Sequence, residues 1–380
     1  MPCHEVCLVS KYFWPFVGGV ELHVLELGRR LCQRGIEVTV VCSNRLYRKR
    51  QRISKLYEEF EGIRIHRYRS LCDMRRTLKE VLMLAQLVHI HYYRAPDAAL
   101  AGCYASKLGR PVVLSSHVLH PPHGVYDRVR KWVYDRTLGR WLVNAAKRII
   151  TSTPDDRLRL LRLHPHVREK VVEIPVAIDV RRFEGPPEPK VFRSRYRLPE
   201  GARLIGYLGR SDWNKRIDLL VKALPALPSD VHLVVAGPID DEYRRFLEGL
   251  ARAKRVENRV HIVGFLPDDL VPAFYRNLSV FALPSEHEGL GLVVLEAMAS
   301  HVPVVASRRG GTRFVIEDGE DGFLVSLKLE DWVEALSKIL EDWRLRSRVT
   351  ATAYRKVVQE YSWDVILPRI LKVYEDALHA

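Results

Sequence analysis

Asparagine and glutamine are scarce, five and four of 380 residues, whereas arginine outnumbers lysine 45 to 16. That balance leads us to expect a heat-adapted protein. No apolar run reaches the roughly 20 residues of a membrane-spanning helix. The longest candidate, Val81 to Tyr93, is broken by Gln86, His89 and His91, so no span is expected. The opening Met1-Pro2-Cys3-His4-Glu5 passes straight into a strand-like Val6 to Ser10 without a basic, apolar leader, and secretion is not expected. The six cysteines, Cys3, Cys7, Cys32, Cys42, Cys72 and Cys103, all fall in the first third, with no Cys-x-x-Cys pair and no zinc-like spacing. Buried free thiols are the plain reading. Asp-x-Asp is missing as well, so nothing asks for a divalent ion, and neither metal nor cofactor is expected. We find no low-complexity tract and no repeated segment.

A chain of this length is about twice a typical domain, and its 47% apolar content is ordinary for a globule. Strand-like runs alternate with helical stretches at Val6–Ser10, Glu37–Cys42, Ile63–Tyr68, Leu87–His91, Val112–Ser115, Arg148–Ser152 and Val171–Ile174. After a loop-like segment, Pro175 to Gly201, the alternation restarts at Leu204–Leu208, Val231–Ala236, Val260–Val263, Ser279–Leu283, Val302–Ala306 and Gly322–Val325. Such alternation predicts an α/β fold of two doubly wound, Rossmann-like domains facing across a cleft, with ligands at the carboxyl ends of the strands. The Gly185-Pro186-Pro187-Glu188-Pro189 run puts the boundary at 185/186.

The net charge of +15 is one-sided. Residues 1–190 hold 34 Lys plus Arg against 19 Asp plus Glu, and residues 191–380 hold 27 of each. A field of that kind attracts an anionic partner. It concentrates in Arg45 to Arg52 and in Tyr126 to Arg148, where Trp132, Tyr134 and Trp141 interleave with Arg128, Arg130, Lys131, Arg136 and Arg140. A solvated face and an anionic membrane surface are the two main readings of these stretches. No nucleic-acid module is visible, and nucleic acid is not expected as a partner.

Four constellations carry chemistry. In Pro284 to Met298, Glu288 and Glu296 stand eight positions apart around Gly289 and Gly291, ahead of an apolar helix. Glycines let backbone approach a ligand, a helix start offers N–H groups to phosphate, and a carboxylate accepts two vicinal hydroxyls. A charged helix start, with Glu286 and Glu288 facing the dipole, is the bland alternative. After the strand Leu204–Leu208, the turn Gly209-Arg210-Ser211-Asp212-Trp213-Asn214-Lys215 places two cations at an expected helix start near Asn214, suited to a leaving diphosphate. Pro15 to His23 holds the paired Gly18 and Gly19, which allow a tight turn with amides aimed at an anion. His117 ends a strand at its carboxyl end, and His120 and His123 follow in a Pro-rich loop.

These residues resemble the retaining glycosyltransferases of family 4, built on the GT-B fold, whose hallmark is a Glu, seven residues, Glu arrangement in this context. The resemblance spans Val6 to about Tyr361 and implies a role for each position. Glu288 would contact donor-sugar hydroxyls and Glu296 the nucleotide ribose, with Gly289, Leu290, Gly291 and Leu292 lining the donor. Arg210 and Lys215 would bind the diphosphate, Gly18 and Gly19 would lie near donor phosphate on the acceptor side, and His117 would meet the donor sugar. Ile174-Pro175-Val176-Ala177-Ile178-Asp179 resembles the family's hinge. Three positions depart from the pattern: Leu290 where phenylalanine is common, His301 where a glycine usually turns, and Phe314 where glutamate often follows the Gly310-Gly311 pair.

The implied organisation is an acceptor-binding domain at 1–185, a nucleotide-sugar-binding domain at 186–361, and a terminal helix at 362–380 crossing back to the first. The implied activity is transfer, with retention, from a UDP-, GDP- or ADP-linked sugar. The opening Val6 to Leu27 is similar to enzymes that glycosylate phosphatidylinositol, and the basic first half favours a lipid-linked or phosphorylated acceptor at the cytoplasmic membrane face. A sugar-nucleotide epimerase shares the architecture but does not fit the glutamate spacing. A non-enzymatic basic binding protein accounts for the charge but not for Arg210, Lys215 and the paired glutamates.

Overall fold

The structure is a computed structural model that describes residues 3–15, 18–45, 52–117, 124–185, 189–289 and 291–380. It divides into two compact units, Met1–Val176 with Asp364–Ala380, and Ala177–Trp363.

In the first unit the chain runs β1 (Glu5–Val9), α1 (Gly19–Cys32), β2 (Glu37–Ser43), β3 (Tyr57–Phe60), β4 (Ile63–Tyr68), α2 (Leu71–Leu84), β5 (Leu87–His91) and α3 (Pro96–Lys107). It continues through β6 (Val112–Ser115), α4 (Gly124–Arg136), α5 (Leu138–Ala145), β7 (Ala146–Thr151), α6 (Pro154–Leu163) and β8 (Val171–Glu173). Among the described residues these strands form one sheet in the order β3-β4-β2-β1-β5-β6-β7-β8. Every pairing is parallel except β3 with β4. The buried runs Val38–Ser43 and Leu87–His91 are continuous because helices cover a parallel sheet on both faces.

Strand β3 has no counterpart among the strands expected from sequence. Tyr57-Glu58-Glu59-Phe60 is half charged and sits at the sheet edge, where pairing with β4 rather than apolar burial holds it. Glu58 also meets Arg67, whose fully buried guanidinium donates to the carbonyls of Lys55 (3.1 Å) and Trp14 (2.7 Å).

The second unit carries α7 (Pro189–Arg195), β9 (Arg203–Leu208), α8 (Asp218–Ala223), β10 (Val231–Ala236), α9 (Asp241–Ala253), β11 (Val260–Gly264) and α10 (Val271–Arg276). There follow β12 (Val280–Leu283), α11 (Leu292–Ala299), β13 (Val304–Ser307), β14 (Phe323–Val325), α12 (Leu329–Glu341) and α13 (Trp343–Lys356). Among the described residues its sheet has the order β11-β10-β9-β12-β13-β14, parallel throughout. The last helix, α14 (Trp363–Leu378), returns to the first unit, where the Tyr374 hydroxyl lies 2.8 Å from His89 Nδ1 and Arg369 donates to the Glu173 carbonyl.

The change of unit falls between Val176 and Ala177, ahead of the Gly-Pro stretch where the sequence suggested a boundary. The reason is packing: Val180 and Phe183 are buried, and the Phe183 ring stands edge-on to Tyr275 at 5.9 Å. The return falls between Trp363 and Asp364. At His301 the expected turn is present without a glycine: its φ is +55°, and its ring stacks on Tyr354 at 4.1 Å. Among the described residues no helix is long and apolar enough to cross a membrane.

Candidate active site

In the second unit, functional residues gather where β9, β12 and β13 end. The turn after β9 is built before it is charged. The Tyr207 hydroxyl donates to the Arg210 carbonyl (2.9 Å), the Ser211 N–H donates to the Pro238 carbonyl (2.8 Å), and Asp212 accepts from the Asn214 N–H (3.1 Å). Trp213, inside the turn, packs on Tyr243 and Phe246 with ring centroids 4.9 and 4.8 Å apart. A short 3-10 turn covers Trp213–Lys215, and the left-handed Arg216 (φ +49°) follows. Helix α8 therefore begins at Asp218, not near Asn214.

Among the described residues, hydrogen bonds tie the loop after β12 to this turn. The Glu286 N–H donates to the Asn214 carbonyl (2.8 Å), Arg216 Nη1 donates to Glu286 Oε1 (3.1 Å), and Lys215 Nζ donates to Glu288 Oε2 (2.7 Å). Both glutamates thus face the basic turn instead of the α11 dipole. The Gly310 backbone presses against Glu288 from the far side. A Cβ there would lie 2.5 Å from the Glu288 carbonyl oxygen, and φ is +70°, so only glycine fits without displacement. The neighbouring Gly311 N–H donates to that same carbonyl (3.1 Å).

Gly291, at φ +82°, caps α11, and Leu292 is the first helical residue. One turn on, Glu296 is only 8% exposed, and the Tyr275 hydroxyl lies 2.7 Å from its Oε2 and 3.1 Å from the Val293 carbonyl. Burial raises the Glu296 pKa above the ordinary carboxylate range, and the Tyr275 hydrogen bond opposes the rise.

The first unit has its own polar cluster at the ends of β5 and β6. His91, the last residue of β5, and His117, just past β6, share a 2.9 Å hydrogen bond between Nδ1 and Nε2. His89 lies 4.2 Å from His91, ring to ring, and bonds the Ser115 hydroxyl through Nε2 (2.8 Å). His23 of α1 stands edge-on to His117 at 5.9 Å. Burial lowers all four histidine pKa values, His89 to about 3 and His23 to about 4, so the cluster is neutral at neutral pH. Tyr92 (φ +77°) and His117 (φ +46°) are non-glycine residues in the left-handed region at the ends of adjacent strands. Strain of that kind concentrates at working sites. The Tyr92 hydroxyl donates to Glu21 Oε1 (3.0 Å), and burial raises the pKa of that carboxyl.

Residues 17–182 match the profile described as Glycosyltransferase Family 4, and residues 190–356 match Glycosyl transferases group 1. A D-inositol 3-phosphate glycosyltransferase of Saccharomonospora viridis is 30% identical over 77% of this chain and 70% of its own length. The chain belongs to glycosyltransferase family 4. A protein of the same name from Xylanimonas cellulosilytica is 29% identical over 95% of this chain and 92% of its own. Among solved structures, Anabaena HepE, crystallised with UDP and glucose, superposes with a TM-score of 0.83 at 18% identity, over 98% of this chain and 99% of that one. The fold is GT-B and the protein is a glycosyltransferase.

In this transferase Lys215, Glu288, Gly289, Gly291, Leu292 and Glu296 lie in the two adjoining loops and the helix that follows them. Arg210 belongs to the same turn but is 47% exposed at its side chain and pairs with Asp212 (3.2 Å). Leu290, His120, His123 and the middle of the Arg45–Arg52 stretch lie outside the described residues. Gly18, extended (φ −119°, ψ 174°), is the N-cap of α1 and Gly19 its first residue, while residues 16 and 17 of the expected turn lie outside the described residues.

Sequence reasoning missed Arg216, Tyr275, Glu21, Tyr92 and His91. A signal existed for His91, since His89-Ile90-His91 puts two polar rings into an otherwise apolar strand. Tyr275 gave none, being an aromatic among aromatics.

Proposed function

We propose that this glycosyltransferase moves a hexosyl group from a nucleotide-sugar donor to a hydroxyl of a phosphorylated or lipid-linked acceptor, with retention at the anomeric carbon. The observation that carries this reading is the 2.7 Å Lys215–Glu288 pair, joining two loops 73 residues apart in sequence. Lys215 and Arg210 supply preorganised positive charge for a diphosphate whose negative charge grows as it leaves. Glu288 takes hydroxyls of the sugar, Glu296 takes the ribose diol, and His117 takes the sugar contact that the family resemblance implies. The bond from C1 to the phosphate oxygen breaks, the acceptor oxygen bonds C1 on the same face, and the acceptor proton passes to the departing phosphate. No step calls for a metal ion.

The inositol phosphate in the relatives' name and the UDP in the HepE crystals choose the first substrates to try. Released nucleotide is measured from UDP-, GDP- and ADP-glucose, with and without inositol phosphate or phosphatidylinositol. Release accelerated by acceptor, with an α-linked product, supports transfer; steady release with no acceptor product, or none from any donor, sinks it.

Glu296→Gln separates ligand binding from folding. For a carboxyl whose folded pKa is raised, stability is complete below the unfolded value and is lost as pH rises through the folded one. The amide variant is therefore expected to raise Tm at pH about 8 and to leave it unchanged near pH 4, the ordinary glutamate range. UDP affinity by calorimetry is expected to fall about tenfold, since an amide accepts fewer hydroxyls than a carboxylate. Unchanged affinity would remove Glu296 from the donor site.

A cytoplasmic membrane face is the proposed workplace, and helix α4 supports it. Val125, Tyr126, Val129, Trp132 and Val133 are 75, 83, 55, 54 and 46% exposed, beside exposed Arg128 and Arg136. Arg136 sits 4.4 Å over the Trp132 ring. A surface of apolar rings among guanidinium groups complements anionic lipid headgroups. In sedimentation with phosphatidylcholine vesicles, adding phosphatidylglycerol is expected to raise the bound fraction. Arg128→Ala should weaken binding about fivefold, since one basic residue contributes roughly 1 kcal/mol at such a surface. Equal binding to neutral and anionic vesicles would count against this face.

A further inference from the structure

We infer that His91 is a positioning residue for the transfer reaction: it donates its Nδ1 proton to His117 Nε2 and thereby fixes His117 as the neutral tautomer protonated at Nδ1. This inference rests on the proposal that His117 meets the transferred sugar, and it concerns which atom of His117 can donate to it.

The geometry leaves two arrangements. His91 Nδ1 and His117 Nε2 are 2.9 Å apart, so one nitrogen carries the hydrogen and the other accepts. The choice is made at the other side of the His91 ring. His91 Nε2 is buried and has no hydrogen-bond partner among the described residues, and the whole residue is 1% exposed. Were His117 the donor, His91 would carry its own hydrogen on that orphaned Nε2, leaving a buried N–H unpaired. Unpaired buried N–H groups are rarer than under-satisfied acceptors. The hydrogen therefore sits on His91 Nδ1, and Nε2 keeps only a lone pair. His117 Nε2 must accept, and its single proton falls on Nδ1.

Neighbouring groups hold both rings in place. His91 lies 4.2 Å from His89, which is itself pinned between the Ser115 and Tyr374 hydroxyls at 2.8 Å each. His91 stacks on His117 with centroids 5.2 Å apart and planes 22° apart, and His23 stands edge-on to both. The His117 backbone, at φ +46°, is in the left-handed region, uncommon outside glycine. A ring so confined cannot exchange its two nitrogens by flipping, so its donor atom is settled by His91. His117 then serves the sugar as an uncharged hydrogen-bond donor and adds nothing to the positive charge on the diphosphate.

The decisive measurement is the two-bond ¹H–¹⁵N spectrum of the full chain labelled with ¹⁵N-histidine, with peaks assigned through His117→Gln and His91→Asn. Both residues are expected to show the Nδ1–H pattern at neutral pH. A His117 protonated on Nε2, or charged, overturns the inference. In kinetics with UDP-glucose and the acceptor that accelerates UDP release, His91→Leu is expected to lower kcat about tenfold or more while KM for UDP-glucose moves less than about threefold. His91→Asn, whose amide N–H can reach the Nδ1 position, is expected to recover most of the loss. Equal losses in the two variants, or no loss in either, also overturn it. Should the leucine variant fail to fold, the wild-type spectrum and the asparagine variant still decide. Donor turnover is a separate outcome: a chain that consumes none of the nucleotide sugars fails the transfer proposal whatever its histidine spectrum shows.

Discussion

Lys215→Ala is expected to lower turnover of a nucleotide-sugar donor by about 10²–10³-fold, the usual cost of removing one preorganised charge from a site of developing negative charge. Most of the fall should be in kcat, because the lysine does most where the diphosphate gathers charge. Binding of the intact donor should weaken less. The Lys215–Glu288 pair also leads us to expect that Lys215→Arg would restore little of the loss. Lys215 is 15% exposed at its side chain and already donates to Glu288. A planar fork presents its charge in a different geometry from a point charge, beside an Arg216 already engaged with Glu286 and Asp218. Steady-state release of UDP from UDP-glucose with acceptor measures the effect. A variant within tenfold of wild type would remove Lys215 from the chemistry.

Gly237→Ala is expected to cost about 3 kcal/mol or more in unfolding free energy. A Cβ at that position would lie 2.2 Å from the Gly209 carbonyl oxygen and 2.8 Å from its carbon, both backbone atoms that cannot rotate away, and φ is +110°. Gly249 offers a control of opposite sign. It lies in α9 with no atom within 4 Å of a built Cβ, so the same one-methyl change should stabilise by about 0.5–1 kcal/mol through helix propensity. Urea unfolding of both variants tests the pair, and a Gly237→Ala chain within 1 kcal/mol of wild type would refute the close approach. The change should also reach the site, because Gly209 opens the turn that carries Arg210 and Lys215.

Much of this arrangement can be read in the residues. Buried parallel strands announce themselves as largely apolar runs, so Val38–Val41 and Val231–Ala236 fall where expected despite Thr39 and His232, and the charged turn after β9 is a local motif. What the sequence conceals is set by partners far along the chain. Strand β3 carries two glutamates and exists because β4 lies beside it. Helix α8 starts late because Arg216 takes a left-handed conformation between Glu286 and Asp218. Tyr275 reaches Glu296 from 21 residues upstream, and Gly237 touches Gly209 across two strands. His117 stands out by its place at a strand end, whereas the use of His91 depends on which nitrogen faces it.

The route of the polypeptide has a practical consequence for anyone dissecting it. Strands β1 to β8 come from the leading segment, yet α14, which completes that unit, is the last helix, and the Tyr374 hydroxyl beside His89 comes with it. A gene stopped after Val176 would encode a half lacking its closing piece, with a buried imidazole stripped of its phenol. The trailing half, Ala177–Trp363, is the only one that a single pair of cuts can excise whole.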